Sequence, residues 1–251
     1  MRALAIDTST AMAGIAVADE QGLLAGYSLM DMKTHSQKLV PMLHELLAHL
    51  GLAPADIDVF AAVTGPGSFT GLRIGVTTIK SLAYATGKRT AGIPSLDALA
   101  FAAAVSEDSI ICPIMDARNN QVYAALYQSS NGTVQNLSGY MGVHISDLVR
   151  HIEERHNDAA VMFTGDGVLL HRDFLKIELN GRCSFMPDFM LRQMAAPAAQ
   201  MAITMALRGD TTDSTELVPF YLRPSQAERE YMKKHGGGNA CGGSGICHAR
   251  E

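Results

Sequence analysis

A surplus of positive charge is the first thing missing from this sequence. Its 251 residues carry 20 Lys and Arg against 25 Asp and Glu, a net charge of −5 with histidine neutral. Bulk charge therefore gives a nucleic-acid partner no support. Cysteine is scarce as well. Cys112, Cys183, Cys241 and Cys247 are scattered without the spacing of a disulfide framework, so a reduced, cytoplasmic protein is expected. No apolar stretch reaches about 18–20 residues without a polar break, so no membrane span is expected either. Asp7 interrupts the apolar opening too early for a secretory signal. What is abundant is core material. Hydrophobic residues make up 47% and charged residues 18%, enough for one large domain or two ordinary ones.

Residues 64–75 read TGPGSFTGLRIG and follow the apolar run at 59–63. A strand, a glycine turn and a helix in that order suit phosphate, yet both standard phosphate motifs are absent. Gly71 is followed by Leu72 and Arg73, without the lysine and adjacent hydroxyl of a Walker loop. The glycine after Gly65-x-Gly67 comes four residues on, where a dinucleotide fingerprint needs three. What remains is a turn. Gly65 and Gly67 permit positive φ or close backbone approach. Pro66 fixes one φ, and Ser68 or Thr70 can cap the helix that follows. The chemistry favours a structural turn over an anion site. Gly71 and Gly75, four apart, would admit another backbone against that helix.

The element signals repeat. Strands are expected at 4–7, 14–18 and 23–29. A helix follows, N-capped by Ser36, with Leu39, Val40, Leu43, Leu46, Leu47 and Leu50 at helical spacing and Gly51 at its end. A strand at 59–63, a helix over 70–85 stopping at Gly87, a strand at 90–93 and a helix N-capped by Ser95 through 104 complete the first half. The second half opens with a strand at 110–116 that ends in Asp116, as the first ends in Asp7. Strands at 122–127 and 134–140, a helix capped by Ser146 through 154, and a strand at 161–164 lead to Gly165-Asp166-Gly167. A last helix spans 197–207, with Gly209 past its end. Such internal duplication predicts an α/β protein of two actin-like, ribonuclease-H-like lobes with mixed sheets flanked by helices. That is the layout of the actin, Hsp70 and sugar-kinase superfamily. The lobes are expected at 1–105 and 106–230, with a glycine-rich, disordered tail at 231–251. The tail holds His235, Cys241, Cys247 and His248, at a spacing that matches no standard zinc module.

Four stretches, ALAIDTST at 3–10, GPGSFTGLRIG at 65–75, MDARNNQVYAALY at 115–127 and VPFYLRPSQAE at 218–228, together resemble the TsaB (YeaZ) family. The resemblance runs from about residue 1 to 230. It implies an actin-like, noncatalytic paralogue of TsaD, the subunit that transfers a threonylcarbamoyl group to adenosine 37 of tRNA, forming t6A. The implied partners are a TsaD-like protein in a heterodimer and a TsaE-like ATPase, with tRNA met only through the complex. A homodimer is implied when the chain is alone. No cofactor is expected on the chain by itself, with ATP or ADP a candidate at the complex interface. TsaD-like members carry a His-x-x-x-His metal pair where this chain has Ser95 and Leu99. Leucine cannot ligate a metal and serine is a poor ligand, so neither catalytic nor metal-binding residues are assigned. The family pattern Arg-x-Gly-Glu-Val-Tyr is here Arg118-Asn119-Asn120-Gln121-Val122-Tyr123, which removes a carboxylate and a turn glycine.

Two groups of residues carry a functional and a structural reading. Asp7 and Thr8, with Gly65 and Gly67, are the candidate nucleotide contacts, and Asp7 is equally a turn cap. Leu39, Leu43 and Leu46, with Leu72, Val76 and Ile79, are the candidate partner surface on two helices, or core beneath them. An ATP-dependent small-molecule kinase is the competing function, motivated by the duplicated layout. A metalloprotease is the third, and the missing histidine pair speaks against it.

Overall fold

The computed structural model describes residues 1–30, 35–104, 109–192, 194–223 and 246–247. Strand β1 (Arg2–Asp7) shows how the sequence sets the layers. Its small residues Ala3 and Ala5 enter one buried cluster, and its large residues Leu4 and Ile6 enter another, because successive side chains leave opposite faces of a strand. The same division runs through β2 (Met12–Asp19), with Ala16 and Ala18 against Ile15 and Val17, and through β4 (Val59–Gly65), with Ala61 against Phe60. β3 (Gly22–Met30) and β5 (Arg89–Pro94) are the edges of this sheet.

The large-residue face is covered by α1 (His35–Leu50) and α2 (Phe69–Thr86). The alanine face meets α3 (Ser95–Ala103). The five strands run β3-β2-β1-β4-β5, with β1 antiparallel to β2 and parallel to β4.

The second sheet repeats this plan. β6 (Ser109–Asp116) is antiparallel to β7 (Gln121–Ala124) and parallel to β11 (Val161–Thr164). A hairpin of β8 (Tyr127–Ser130) and β9 (Thr133–Asn136) is added to it, and β10 (Tyr140–His144) pairs with β7. α4 (Ile145–His156) precedes β11, and α5 (Val168–Glu178) leads to β12 (Cys183–Phe185). The order β10-β7-β6-β11-β12 matches β3-β2-β1-β4-β5 strand for strand. The duplicated actin-like fold expected from the sequence is therefore the fold observed.

α6 (Ala195–Arg208) belongs by sequence to the second half but packs against β1, β2 and β4 of the first sheet. Its face of Ala195, Ala198, Ala199 and Ala202 is as small as the strand face it meets, so helix and sheet approach closely. α3 and α6 share one buried cluster with residues of both sheets. Backbone residues Ile246–Cys247 (β13) pair antiparallel with Tyr140–Met141. The rest of the tail expected at 231–251 lies outside the described residues.

Several local expectations are corrected. Ser36 lies inside α1, which begins at His35, and Ser95 lies inside α3, whose N-cap is Pro94. The Nδ1 of His144, not Ser146, caps α4 by accepting the Ser146 amide at 3.3 Å. The expected strand at 134–140 is two strands. Asn136 Oδ1 accepts the amides of Ser138 (3.1 Å) and Gly139 (2.7 Å), breaking the chain between β9 and β10. α5 was not expected at all.

Candidate functional site

The carboxyl ends of β1, β4, β6 and β11 bring the two lobes' turns together, the usual place for a site in open α/β sheets. The glycine turn after β4 is packed against the turn after β1. Ser68 is the N-cap of α2, its Oγ accepting the Gly71 amide at 3.3 Å, while its own amide donates to the Ser9 carbonyl at 2.7 Å. Thr8 Oγ1 donates to the Gly71 carbonyl at 2.7 Å. A Cβ on Gly67 would stand 2.4 Å from the Ser9 oxygen, and one on Gly71 would stand 1.9 Å from the Thr8 oxygen. Gly65 has φ of 124° and a Cβ there would lie 2.4 Å from the Phe220 oxygen. The candidate nucleotide contacts Thr8, Gly65 and Gly67 thus lie in adjoining turns, and this chain's own backbone occupies the space beside both glycines.

Asp7 is 1% exposed at the end of β1. Its Oδ1 accepts the Ser9 amide at 2.9 Å and the Ser9 hydroxyl at 2.6 Å. Burial pushes its carboxyl up to about 6; the Ser9 hydrogen bonds pull it down, and the charge of Asp166 pushes it further up. Asp166 itself is raised, chiefly by burial, and its Oδ1 accepts the Asp116 amide at 3.1 Å. Sequence symmetry paired Asp7 with Asp116, yet Asp116 is exposed and Asp166 is the carboxyl coupled to Asp7. The signal for Asp166 was its place between Gly165 and Gly167, in the counterpart of the first glycine turn.

Asp116 Oδ1 accepts the Arg118 amide at 2.8 Å and opens a left-handed turn. Arg118, Asn119 and Asn120 have φ of 65°, 55° and 56°. The two asparagines suit that region better than most residues. This explains how the family's turn glycine can be Asn120 here.

Ser95 and Leu99 are both buried, and the Ser95 Oγ has no hydrogen-bond partner. Leu99 Cδ1 lies 3.2 Å from where a Gly165 Cβ would stand, so an apolar side chain fills this place against the second lobe. Among the described residues, no group of three His, Cys, Asp or Glu is placed to hold a metal. Asp97, on the same helix, was overlooked in the sequence. Its Oδ1 accepts the Tyr127 hydroxyl at 2.5 Å and the Tyr140 hydroxyl at 2.9 Å. Burial raises the Asp97 carboxyl, and burial followed by the Asp97 charge raises both phenols.

The candidate partner residues need correction. Leu39, Leu43, Leu46, Leu72, Val76 and Ile79 are each 5% exposed or less. They sit beneath α1 and α2, because a stripe at helical spacing is the side that seeks the sheet. The outer surface of α1 is instead Val40, His44 and Ala48. With Leu52 and Pro54, and Leu43 and Leu47 at the floor, these line a groove of about 360 Å³. On α2, Arg73, Thr77 and Tyr84 face outward. Among the described residues, no helix is long and apolar enough to cross a membrane.

A family model described as "TsaD: tRNA N6-adenosine threonylcarbamoyltransferase" matches residues 30–231. The tRNA threonylcarbamoyladenosine biosynthesis protein TsaB of Bacillus subtilis is 34% identical over 233 residues, which cover 93% of this chain and 99% of that protein. The protein of the same name from Haemophilus influenzae is 28% identical, over 88% of this chain and 92% of its own. The structure of YeaZ from Pseudomonas aeruginosa superposes with a TM-score of 0.73 at 24% identity, covering 88% of this chain and 99% of that one, and so shares the fold. Matched along nearly its whole length by TsaB, and over most of it by the TsaD model, the chain belongs to the TsaB family.

Proposed function

We propose that this chain is the noncatalytic subunit that binds and activates a TsaD-like threonylcarbamoyl transferase in forming t6A at position 37 of tRNA. The observation that carries the pathway is the 34% identity to TsaB over 93% of the chain. The noncatalytic part rests on Ser95 and Leu99, neither of which supplies a metal ligand. The chain works in the cytoplasm, beside a TsaE-like ATPase, and reaches tRNA only through the complex. Alone it forms a homodimer through the surface the TsaD-like protein takes. It binds no nucleotide alone, in keeping with the backbone packing at Gly67 and Gly71, and ATP or ADP binds at the complex interface.

The test is size-exclusion chromatography with light scattering, mixing the chain with a TsaD from a close bacterial source. A new species at the mass of a one-to-one complex, formed at the expense of the homodimer, is expected. Absence of any complex, with and without a TsaE-like ATPase and ATP, overturns the role.

A further inference from the structure

After α6 the chain crosses from the first lobe to the second, and its contacts with the two differ in kind. On the first lobe they are many and include backbone. Lys80 Nζ donates to the carbonyls of Thr215 (3.1 Å) and Leu217 (3.0 Å). The Phe220 amide donates to the Thr64 carbonyl at 2.8 Å, at the carboxyl end of β4. Tyr221 stacks on Phe69 with centroids 4.5 Å apart, and its hydroxyl accepts from Arg73 Nε at 3.1 Å. On the second lobe the described contacts are fewer and come from side chains. The Phe220 ring tilts against Tyr140 at 5.4 Å. Arg223 donates to the Gly142 carbonyl in β10 and lies 5.8 Å over the Tyr123 ring.

We propose that residues 215–223 are an interlobe clasp, anchored on the first lobe and latched to the second through Arg223, that sets the angle between the lobes. Lobes joined through a shared core can pivot about it. Here the pivot is α3 and α6, which bury residues with both sheets. The segment spans both lobes beside that pivot: Phe220 meets Tyr140, whose hydroxyl donates to Asp97 of α3 at 2.9 Å, and Arg223 reaches on to β10 and the Tyr123 ring. Gly142 has a part in the latch, since a Cβ there would stand 2.8 Å from Arg223 Nε. Releasing Arg223 leaves the anchor seated on α2 and frees the second lobe to swing. The proposal rests on contacts within this chain and is independent of the partner assigned above.

The test measures the distance between spin labels at Gln21→Cys and Glu154→Cys, both exposed and one in each lobe. The full chain is used with Cys183, Cys241 and Cys247 replaced by serine, leaving Cys112, which is buried. One narrow distance is expected with the clasp intact. Arg223→Ala is expected to broaden it or split it in two. Gly142→Ala is expected to do the same by displacing the guanidinium, and this second route covers failure of either variant to fold. Arg223→Lys keeps the charge but not the planar face over Tyr123, and should fall between. Distributions unchanged from the intact chain in the folded variants overturn the proposal.

Discussion

Thr8 and Gly71 hold the first glycine turn in place. The Thr8 hydroxyl donates to the Gly71 carbonyl at 2.7 Å, and a Cβ on Gly71 would stand 1.9 Å from the Thr8 carbonyl oxygen. An alanine normally stabilises a helix interior by about 1 kcal/mol over glycine. Here the sign reverses, because the obstructing atom is backbone and cannot rotate away. Gly71→Ala is expected to destabilise the chain by about 3 kcal/mol or more, read as a fall in the urea midpoint. An unchanged or higher midpoint would mean that the two turns are not in contact.

Asp7 gives a pH-dependent expectation of definite sign. Its folded carboxyl titrates at about 6 against an ordinary value of 3.8. A raised acid favours the fold while protonated, so its contribution is complete below pH 3.8 and is lost as pH rises through 6. Full ionisation costs at most about 3 kcal/mol. Asp7→Asn keeps the oxygen that accepts both Ser9 hydrogen bonds and removes the charge. The variant is expected to be more stable by about 1–3 kcal/mol at pH 8, with the gain shrinking toward pH 4. Paired urea titrations at the two pH values decide it. A gain equal at both would assign the effect to packing.

What the sequence made legible follows from how local each signal is. The duplication is local, since every strand, glycine turn and helix leaves its own pattern. It located β1, β4 and α2 and the strand ends that carry Asp7 and Asp166. α5 was missed because VLLHRDFLKIE carries Leu170 and Ile177 on its exposed side as well as Val168 and Leu175 on its buried one, with a histidine, His171, on the buried side between them. The Asp97 cluster was missed for another reason. Asp97, Tyr127 and Tyr140 come from three separated segments, and no spacing rule links them. The clasp shares that difficulty. Phe220 and Arg223 were visible only as parts of a family-like string, and their second-lobe partners Tyr140 and Gly142 lie far off in sequence.

The α1 surface shows the limit of periodicity most sharply, and it changes which residues should be mutated. The stripe of Leu39, Leu43 and Leu46 identifies a helix face without saying what covers it. The cover is the chain's own sheet, at 1%, 5% and 0% exposure. Placing a carboxylate there would bury it without a partner, at a cost of several kcal/mol. Leu39→Asp with Leu43→Asp is therefore expected to unfold the chain, seen as loss of the circular-dichroism melting transition. Val40 is 57% exposed on the groove rim and Tyr84 is 80% exposed on α2. Val40→Asp with Tyr84→Ala should leave the melting temperature within a few degrees, since exposed sites usually change stability by about 0.5 kcal/mol or less. If this face receives the TsaD-like protein, the same double change should weaken the complex at least about tenfold, the effect of losing 1.4 kcal/mol of binding. Light scattering of the mixture reads that loss. A folded variant that still forms the complex at full strength would move the interface off α1 and α2, and leave their exposed residues as ordinary surface.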